Sequence, residues 1–228
     1  KEMGMPGIAI TDHGYMGGTE EFHKTLTAEG LTPIICVEAY VSPTTRQDRN
    51  PAVDFIKGFH LVLLAENQQG YHNLCKIMSE SWRTGLYYKA RCDKQLLAQY
   101  HEGLIALSAC IAGEIPRRLY QGDMAGAEKS LDDYLEIFGP ENFFIELMDH
   151  NMPEEKELNP KLIQLARSRN IPLVATNDCH YLTQDEAEMQ EVLMCIQTGK
   201  TLDDTNRMRM ESREMFVKGE EEMQALFA

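Results

Sequence analysis

Short apolar runs alternate along the chain with longer segments whose apolar residues recur at helical spacing. The short runs are bounded by turn residues, as buried strands are, and the longer segments have the period of amphipathic helices. The pattern predicts strands at 6–11, 32–41, 60–65, 104–109, 142–148 and 171–177. It predicts helices at 19–30, 69–82, 115–120, 123–139, 153–170 and 184–199, with a strand and a helix in the tail, 212–228.

Strands that alternate with helices of this length favour βα units and a parallel sheet, and therefore an α/β fold. The segment 44–58 is polar and contains the chain breakers Asn50, Pro51 and Gly58, so it is predicted to be a loop. A doubly wound open sheet and a (β/α) barrel both fit this order of elements, and the periodicity does not decide between them.

Polar residues with metal-binding chemistry follow five of the predicted strands. In parallel α/β folds, functional residues gather just beyond the carboxyl ends of the strands. The residues at these ends are Asp12 and His13, then Glu38, then Cys110, then Glu146, Asp149 and His150, and finally Asp178 and His180. A single polar strand end is usually solvated or caps the next helix. Five ends on one face favour a metal or catalytic site.

The stretch "ATNDCHY" places Asp178 and His180 two residues apart. In an extended segment both side chains project to the same side, where they can reach one ion or two neighbouring ions. Cys179 points the other way and is predicted to be buried. His60 precedes its apolar run, so the strand-end rule argues against it, and His23, His72 and His101 lie in predicted helices or loops.

The stretch "SWRTGLYYKARCDK", 81–94, mixes basic and aromatic residues. Such interleaving suits single-stranded nucleic acid, through base stacking and phosphate contacts. A loop that packs its aromatic rings on the rim of the fold is an equally good interpretation.

Composition restricts the class of protein. The chain has 228 residues, of which 43% are hydrophobic, and a formal net charge of −14. An acidic chain binds nucleic acid poorly by itself, although bound dications would reverse the local potential. No apolar run long enough to span a membrane and no secretory signal is seen, so the six cysteines are expected to be reduced, in the cytoplasm.

Several motifs together resemble one family. They are "GIAITDHG", "PIICVEAYV", "HLVLLAENQQGYHNLCKIMS", "GLIALSACIAGEIP", "FFIELMDHNMPEE" and "LVATNDCHYLTQDEAEMQEVLMCIQTGKTLDD". In this order they resemble the PHP (polymerase and histidinol phosphatase) domain of bacterial DNA polymerase III alpha subunits. The resemblance implies a distorted (β/α)7 barrel with up to three divalent metal ions. A thiolate such as Cys110, together with imidazoles, favours zinc or manganese, with magnesium as the alternative.

Carried over by position, the resemblance implies metal ligands at His13, Glu38, His60, Cys110, Asp178 and His180. It overrules the strand-end objection to His60, and it gives Glu38, Asp178 and His180 the central catalytic roles. Asp12 and His150 are expected to support ligands rather than bind metal. Members of the family open with an HxH strand and a nearby aspartate, which this sequence does not show. The first barrel strand and three ligands are therefore expected to be missing.

The implied activity is metal-dependent 3′–5′ exonuclease or phosphoesterase chemistry on the DNA primer end, within a nucleotidyltransferase that assembles with other polymerase subunits. An inert structural domain that supports the polymerase and binds a separate proofreading subunit is the alternative. A free-standing phosphomonoesterase is a third, disfavoured by the tail. The expected division is a PHP domain at 1–210 and a connection to the polymerase palm at 211–228.

Overall fold

The fold has eight strands and eight helices in the computed structural model, which describes residues 1–227. The strands are β1 (Gly7–Ile10), β2 (Thr32–Val41), β3 (Phe59–Ala65), β4 (Leu86–Tyr87), β5 (Lys89–Cys92), β6 (Leu104–Leu107), β7 (Phe143–Leu147) and β8 (Leu173–Ala175). The helices are α1 (Thr19–Ala28), α2 (Gln68–Thr84), α3 (Lys94–Gln99), α4 (Glu114–Tyr120), α5 (Met124–Phe138), α6 (Pro153–Arg169), α7 (Ala187–Thr198) and α8 (Glu220–Phe227).

The predicted elements form, with a few differences. Strands β4 and β5 and helix α3 were not predicted, because their short polar sequences carry little periodicity. The strand predicted in the tail is reduced to one bridge, between Tyr181 and Phe216. The helix α4 buries Ile115 and Leu119, so it packs inward as well as facing solvent.

The strands form one sheet in the order β4-β5-β2-β3-β6-β7-β8, with β1 also paired to β2. The parallel pairs are β1·β2, β2·β5, β6·β7 and β7·β8. Strand β3 runs antiparallel to both β2 and β6, so the prediction of a parallel sheet is wrong there. The reason is the connection: residues 42–58 form no helix, and a chain without a crossover returns antiparallel.

The two faces of the sheet have different partners. On β2, Val37, Ala39 and Val41 are fully buried in a core shared with helices α2 to α6. The alternate residues Cys36 and Glu38 face the other side and line a cavity. The sheet is curled, with helices outside and the cavity inside, which confirms the predicted α/β, barrel-like architecture.

Helix starts follow from local chemistry. The side chains of Asn67, Asp93 and Asp123 each accept a hydrogen bond from a backbone N–H in the first turn of α2, α3 and α5. At Gly70, a Cβ would lie 1.8 Å from the Gly103 carbonyl oxygen, so only glycine allows α2 to sit this close to the start of β6. Among the helices of residues 1–227, none is both long and apolar enough to cross a membrane.

Arg91 is fully buried and joins the long loop to the sheet. Its guanidinium donates to the carbonyl oxygens of Gly85, Ile56, Arg46 and Asp48 at 2.6–3.1 Å. These bonds satisfy a buried charge without a carboxylate and hold residues 42–58 against β5.

Candidate metal centre

Three predicted ligands meet at one point. Glu38 Oε1 lies 2.5 Å from His60 Nδ1, and Glu38 Oε2 lies 3.4 Å from His13 Nδ1. In residues 1–227 these three are the one set of at least three His, Cys, Asp or Glu donors with ligand atoms within 4.8 Å of one another. Two imidazoles and a carboxylate at this spacing fit a divalent transition metal ion.

Strand register explains how His13 reaches Glu38. β1 pairs with β2 at a constant offset, from Gly7 opposite Thr32 to Ile10 opposite Ile35, and His13 continues that offset opposite Glu38. Two backbone hydrogen bonds hold His13 there: the Glu38 N–H donates to Asp12 O, and the Gly14 N–H donates to Glu38 O. His13 is thus placed by an extension of the parallel ladder.

The antiparallel direction of β3 explains His60. Because β3 starts where β2 ends, His60 lies directly opposite Tyr40 and diagonally from Glu38, on the same face of the sheet. The strand-end argument against His60 assumed a parallel strand and is therefore wrong about its position. The first residues of an antiparallel strand lie at the same end of the sheet as the last residues of the strands beside it.

Cys110 approaches from the loop after β6. Its Sγ lies 3.7 Å from His60 Nδ1, and Ala109 just before it has a left-handed φ of 62°. Such a backbone is strained for alanine and persists where the surroundings impose it. Burial, and next the Glu38 carboxylate, raises the pKa of the Cys110 thiol, so a thiolate here requires a cation nearby.

Asp178 and His180 line the same cavity as Glu38, and Asp178 Oδ1 lies 3.4 Å from His180 Nε2. Burial opposes ionisation of Asp178, but the His180 imidazole holds the pKa of that carboxyl below its usual value. The same contact, against the effect of burial, raises the pKa of His180. For His13, burial lowers the pKa despite the Glu38 carboxylate, which favours the neutral imidazole that binds metals.

Cys179 is exposed, so the prediction that it is buried is wrong. Strand β8 ends at Ala175, and residues 176–180 form a loop that does not continue the strand alternation. The tail shapes this loop instead: His180 N–H donates to Met215 O at 2.8 Å, and the Asn177 amide donates to Phe216 O.

Supporting residues surround the predicted ligands, and the sequence reasoning identified only some of them. His150 Nε2 accepts from the Asp178 N–H at 3.2 Å, and Glu155 accepts from His150 Nδ1 at 2.6 Å. Glu146 accepts from Thr176 at 2.5 Å. Asp12 is exposed and lines the cavity. Glu155, Thr176 and the tail residues carry no local signal, because their partners are distant in sequence.

A cavity of about 710 Å³ is lined by four of the six predicted ligands, His13, Glu38, Asp178 and His180. Its wall is the apolar inner face of the sheet, including Val62, Leu107 and Phe144. Acidic and imidazole groups thus share the lining of a largely apolar cavity, where charge interactions are stronger than in water.

The chain is similar in sequence to known proteins over its whole length. A family model described as the PHP domain matches residues 1–150. DNA polymerase III subunit alpha of Treponema pallidum is 44% identical over 227 residues, which are 100% of this chain and 19% of that protein. The Thermus aquaticus protein of the same name is 44% identical over 97% of this chain and 18% of its own. The Mycobacterium tuberculosis protein is 39% identical over 100% of this chain and 20% of its own.

The chain therefore spans about a fifth of the length of these relatives. A crystal structure of a provisionally assigned metal-dependent phosphoesterase from Bifidobacterium adolescentis covers 78% of both chains at 13% identity. Its TM-score of 0.48 is too low to support an argument. The family match covers well over half of the chain and confirms the resemblance drawn from the motifs, so the chain belongs to the PHP domain family.

Proposed function

We propose that this chain carries a metal-dependent phosphodiesterase site that removes nucleotides from the 3′ end of single-stranded DNA. The observation that carries the proposal is the set of ligand atoms of His13, Glu38 and His60 within 4.8 Å of one another. Asp178 and His180 line the same cavity as His13 and Glu38. Bound ions would supply Lewis-acid activation of water and of the scissile phosphate.

The chain's own residues hold and orient this site. Glu38 offers one carboxylate oxygen toward each of two imidazoles, so it could hold a metal ion together with His13 and His60. Cys110 adds a sulfur donor beside His60, and the Asp178 carboxylate orients His180. Imidazole and thiolate donors favour zinc or manganese over magnesium. We propose up to three ions, with Glu38, Asp178 and His180 nearest the reacting phosphate.

The relatives suggest the biological setting. Since they are named DNA polymerase III subunit alpha, we propose that the chain works in the cytoplasm within such a nucleotidyltransferase, together with DNA and other polymerase subunits. The division into a PHP domain at 1–210 and a connection at 211–228 is part of this proposal. Met215 and Phe216 bond to the ligand loop, so the two parts would touch at the site.

The test is Asp178→Asn, assayed for release of nucleotides from 3′-labelled single-stranded DNA with Mn²⁺ or Zn²⁺. Loss of an outer-shell partner lowers metal affinity or activity roughly 10- to 100-fold, so loss of the direct ligand Asp178 should lower the rate of nucleotide release at least as much. Bound metal is measured in parallel by elemental analysis.

Asp149→Asn is the matched control. It is the same exchange at a neighbouring strand end, where the carboxylate bonds only the N–H of Asn151. Unchanged hydrolysis in Asp178→Asn with metal retained would show that the mechanism is wrong. If chelation lowers the thermal midpoint while neither the parent chain nor any variant cleaves DNA, the domain is structural and the alternative role stands.

A further inference from the structure

The basic and aromatic stretch at 82–89 lies directly beside the metal centre. One edge of β2 is occupied first by β1 along Thr32–Ile35, then by His13 opposite Glu38, and then by β5 opposite Tyr40 and Val41. After His13 the chain turns away from this edge of β2, and β5, which begins at Lys89, takes the next positions along it. Sheet topology therefore brings two segments that are about seventy residues apart in sequence to the rim of one site.

Side-chain contacts fix that proximity. Trp82 Nε1 donates to the carbonyl oxygen of Gly14, the residue after His13, at 2.9 Å. Lys89 Nζ lies 5.1 Å from the centre of the Tyr40 ring. The same ring neighbours two predicted ligands: His13 stacks on it with centroids 5.7 Å apart, and His60 meets it edge-on at 5.2 Å. One aromatic ring thus contacts both the Lys89 ammonium and a predicted ligand.

The rings on this rim are open to solvent. Tyr15 is 58% exposed, Trp82 is 49% exposed and Tyr88 is 68% exposed. The single hydrogen bond of Trp82 uses the ring edge, so it leaves a π-face available for stacking. Large exposed aromatic groups beside a polar site are typical of binding surfaces and not of solvated faces.

The charge on the rim is also available. Within residues 1–227, Lys57 and Lys89 contact the rings of Tyr88 and Tyr40 and make no ion pair with a carboxylate. Arg83, by contrast, is held by Glu80 through two hydrogen bonds. In a chain of net charge −14, two uncompensated ammonium groups beside open rings form a local surface that suits a phosphate backbone with unpaired bases.

We propose that Tyr15, Trp82 and Lys89 form a binding rim for single-stranded DNA next to the metal centre. A base stacks on Trp82, with Tyr15 as a second platform, and a phosphate contacts Lys89. The choice of DNA rests on the proposed function, but binding at the rim does not require hydrolysis. Duplex ends bind less well, because their base faces are already covered.

Trp82 is the only tryptophan of the chain, so it reports on its own site. An oligothymidylate of roughly ten nucleotides is titrated into the 228-residue chain in chelator, which prevents cleavage. We expect quenching of the tryptophan fluorescence that saturates with binding and weakens as salt is raised. An unquenched tryptophan at saturating oligonucleotide would overturn the proposal.

Variants separate stacking from charge, with binding followed by anisotropy of a labelled oligonucleotide. Trp82→Ala should weaken binding roughly tenfold, whereas Trp82→Phe, which keeps a ring and loses the bond to Gly14, should keep most of the affinity. Lys89→Ala should lower the salt slope by about one, and Lys161→Ala on the outer helix α6 should not. Equal affinity of Trp82→Ala and the parent, with the fold verified by circular dichroism, would contradict the rim.

The two proposals fail in different ways. If the parent binds DNA through Trp82 and Lys89 but never cleaves it, the rim stands and the phosphodiesterase proposal fails. If Asp178→Asn abolishes cleavage while Trp82→Ala and Lys89→Ala bind and cleave as the parent does, the phosphodiesterase proposal stands and the rim is wrong.

Discussion

Glu146 is a buried carboxylic acid inside the cavity. It is 4% exposed, one oxygen accepts from Thr176, and the other has no hydrogen-bond partner in residues 1–227. Burial raises the pKa of Glu146 to about 7. The hydrogen bond from Thr176 lowers this pKa, whereas the nearby Glu38 and Asp178 carboxylates raise it further. The protonated form is therefore favoured below neutral pH. No local pattern predicts this, since β7 reads as an ordinary apolar strand.

Glu146→Gln should change how stability depends on pH in the metal-free chain. Since the pKa rises from 4.5 to about 7 on folding, the folded chain holds a proton that the unfolded chain has released. Stability from this group is complete below pH 4.5 and is lost as the pH rises through 7. As the pH rises from below 4.5 to above 7, the parent should lose about 3 kcal/mol of stability that the Gln variant does not lose.

Urea unfolding at pH 4.5 and pH 8 measures that difference, with the exposed Glu136→Gln as the matched exchange on α5. A relative stability of Glu146→Gln that does not vary with pH would refute the assignment of a raised pKa.

At the scale of elements, helix α6 positions His150, which in turn contacts the predicted ligand Asp178. Glu155 in its first turn accepts from the N–H and Nδ1 of His150, both at 2.6 Å. This fixes the proton on Nδ1 and leaves Nε2 to accept from the Asp178 N–H. Ser212 donates to His150 O at 2.6 Å, so the tail holds the same loop.

Glu155→Gln should lower metal affinity roughly tenfold, the usual effect of losing an outer-shell partner. In the parent each carboxylate oxygen of Glu155 accepts from one His150 group. The Gln variant has one acceptor oxygen and an NH2 that can only donate, so its NH2 would face a His150 N–H, or the His150 proton would move to Nε2 and oppose the Asp178 N–H. Competition with a chromophoric chelator for Zn²⁺ measures the affinity. Glu154→Gln, one residue earlier in the same helix, is the control; equal affinities in the two variants would exclude a positioning role for the dyad.

At the scale of the whole molecule, carboxylates from separate parts of the chain converge on one cavity. Glu38 comes from β2, Glu146 from β7 and Asp178 from the loop after β8. Their mutual repulsion in a chain of net charge −14 opposes folding, and a bound dication would offset it. Metal binding and global stability should therefore be linked.

Mn²⁺ or Zn²⁺ at about 100 times its dissociation constant should stabilise the chain by about 2.7 kcal/mol. This corresponds to a rise of roughly 5–10 °C in the thermal midpoint for a chain of this size. Calorimetry should show the rise in the parent and in Glu66→Gln, whose exposed carboxylate follows the far end of β3. Glu38→Gln should lose most of it; a full rise in that variant would locate the stabilising ions elsewhere.

Local chemistry predicted much of the molecule. The apolar periods identified the main strands and helices, since each segment needs only its own spacing to show which face is buried. The strand-end rule found His13, Glu38, Cys110, Asp178 and His180, because polar residues after an apolar run are visible one strand at a time. The family motifs added His60. Residue types, element types and most of the site were therefore determined by the sequence.

Tertiary structure decided the direction of β3, and with it how His60 comes to lie beside Glu38. It also decided that Met215 and Phe216 support the ligand loop, and that Trp82 bonds the residue after His13. These contacts join positions far apart in the chain. Strand direction and long-range contacts depend on how connections close around the shared core, a property of the whole assembly of elements that the periodicity of one segment does not contain.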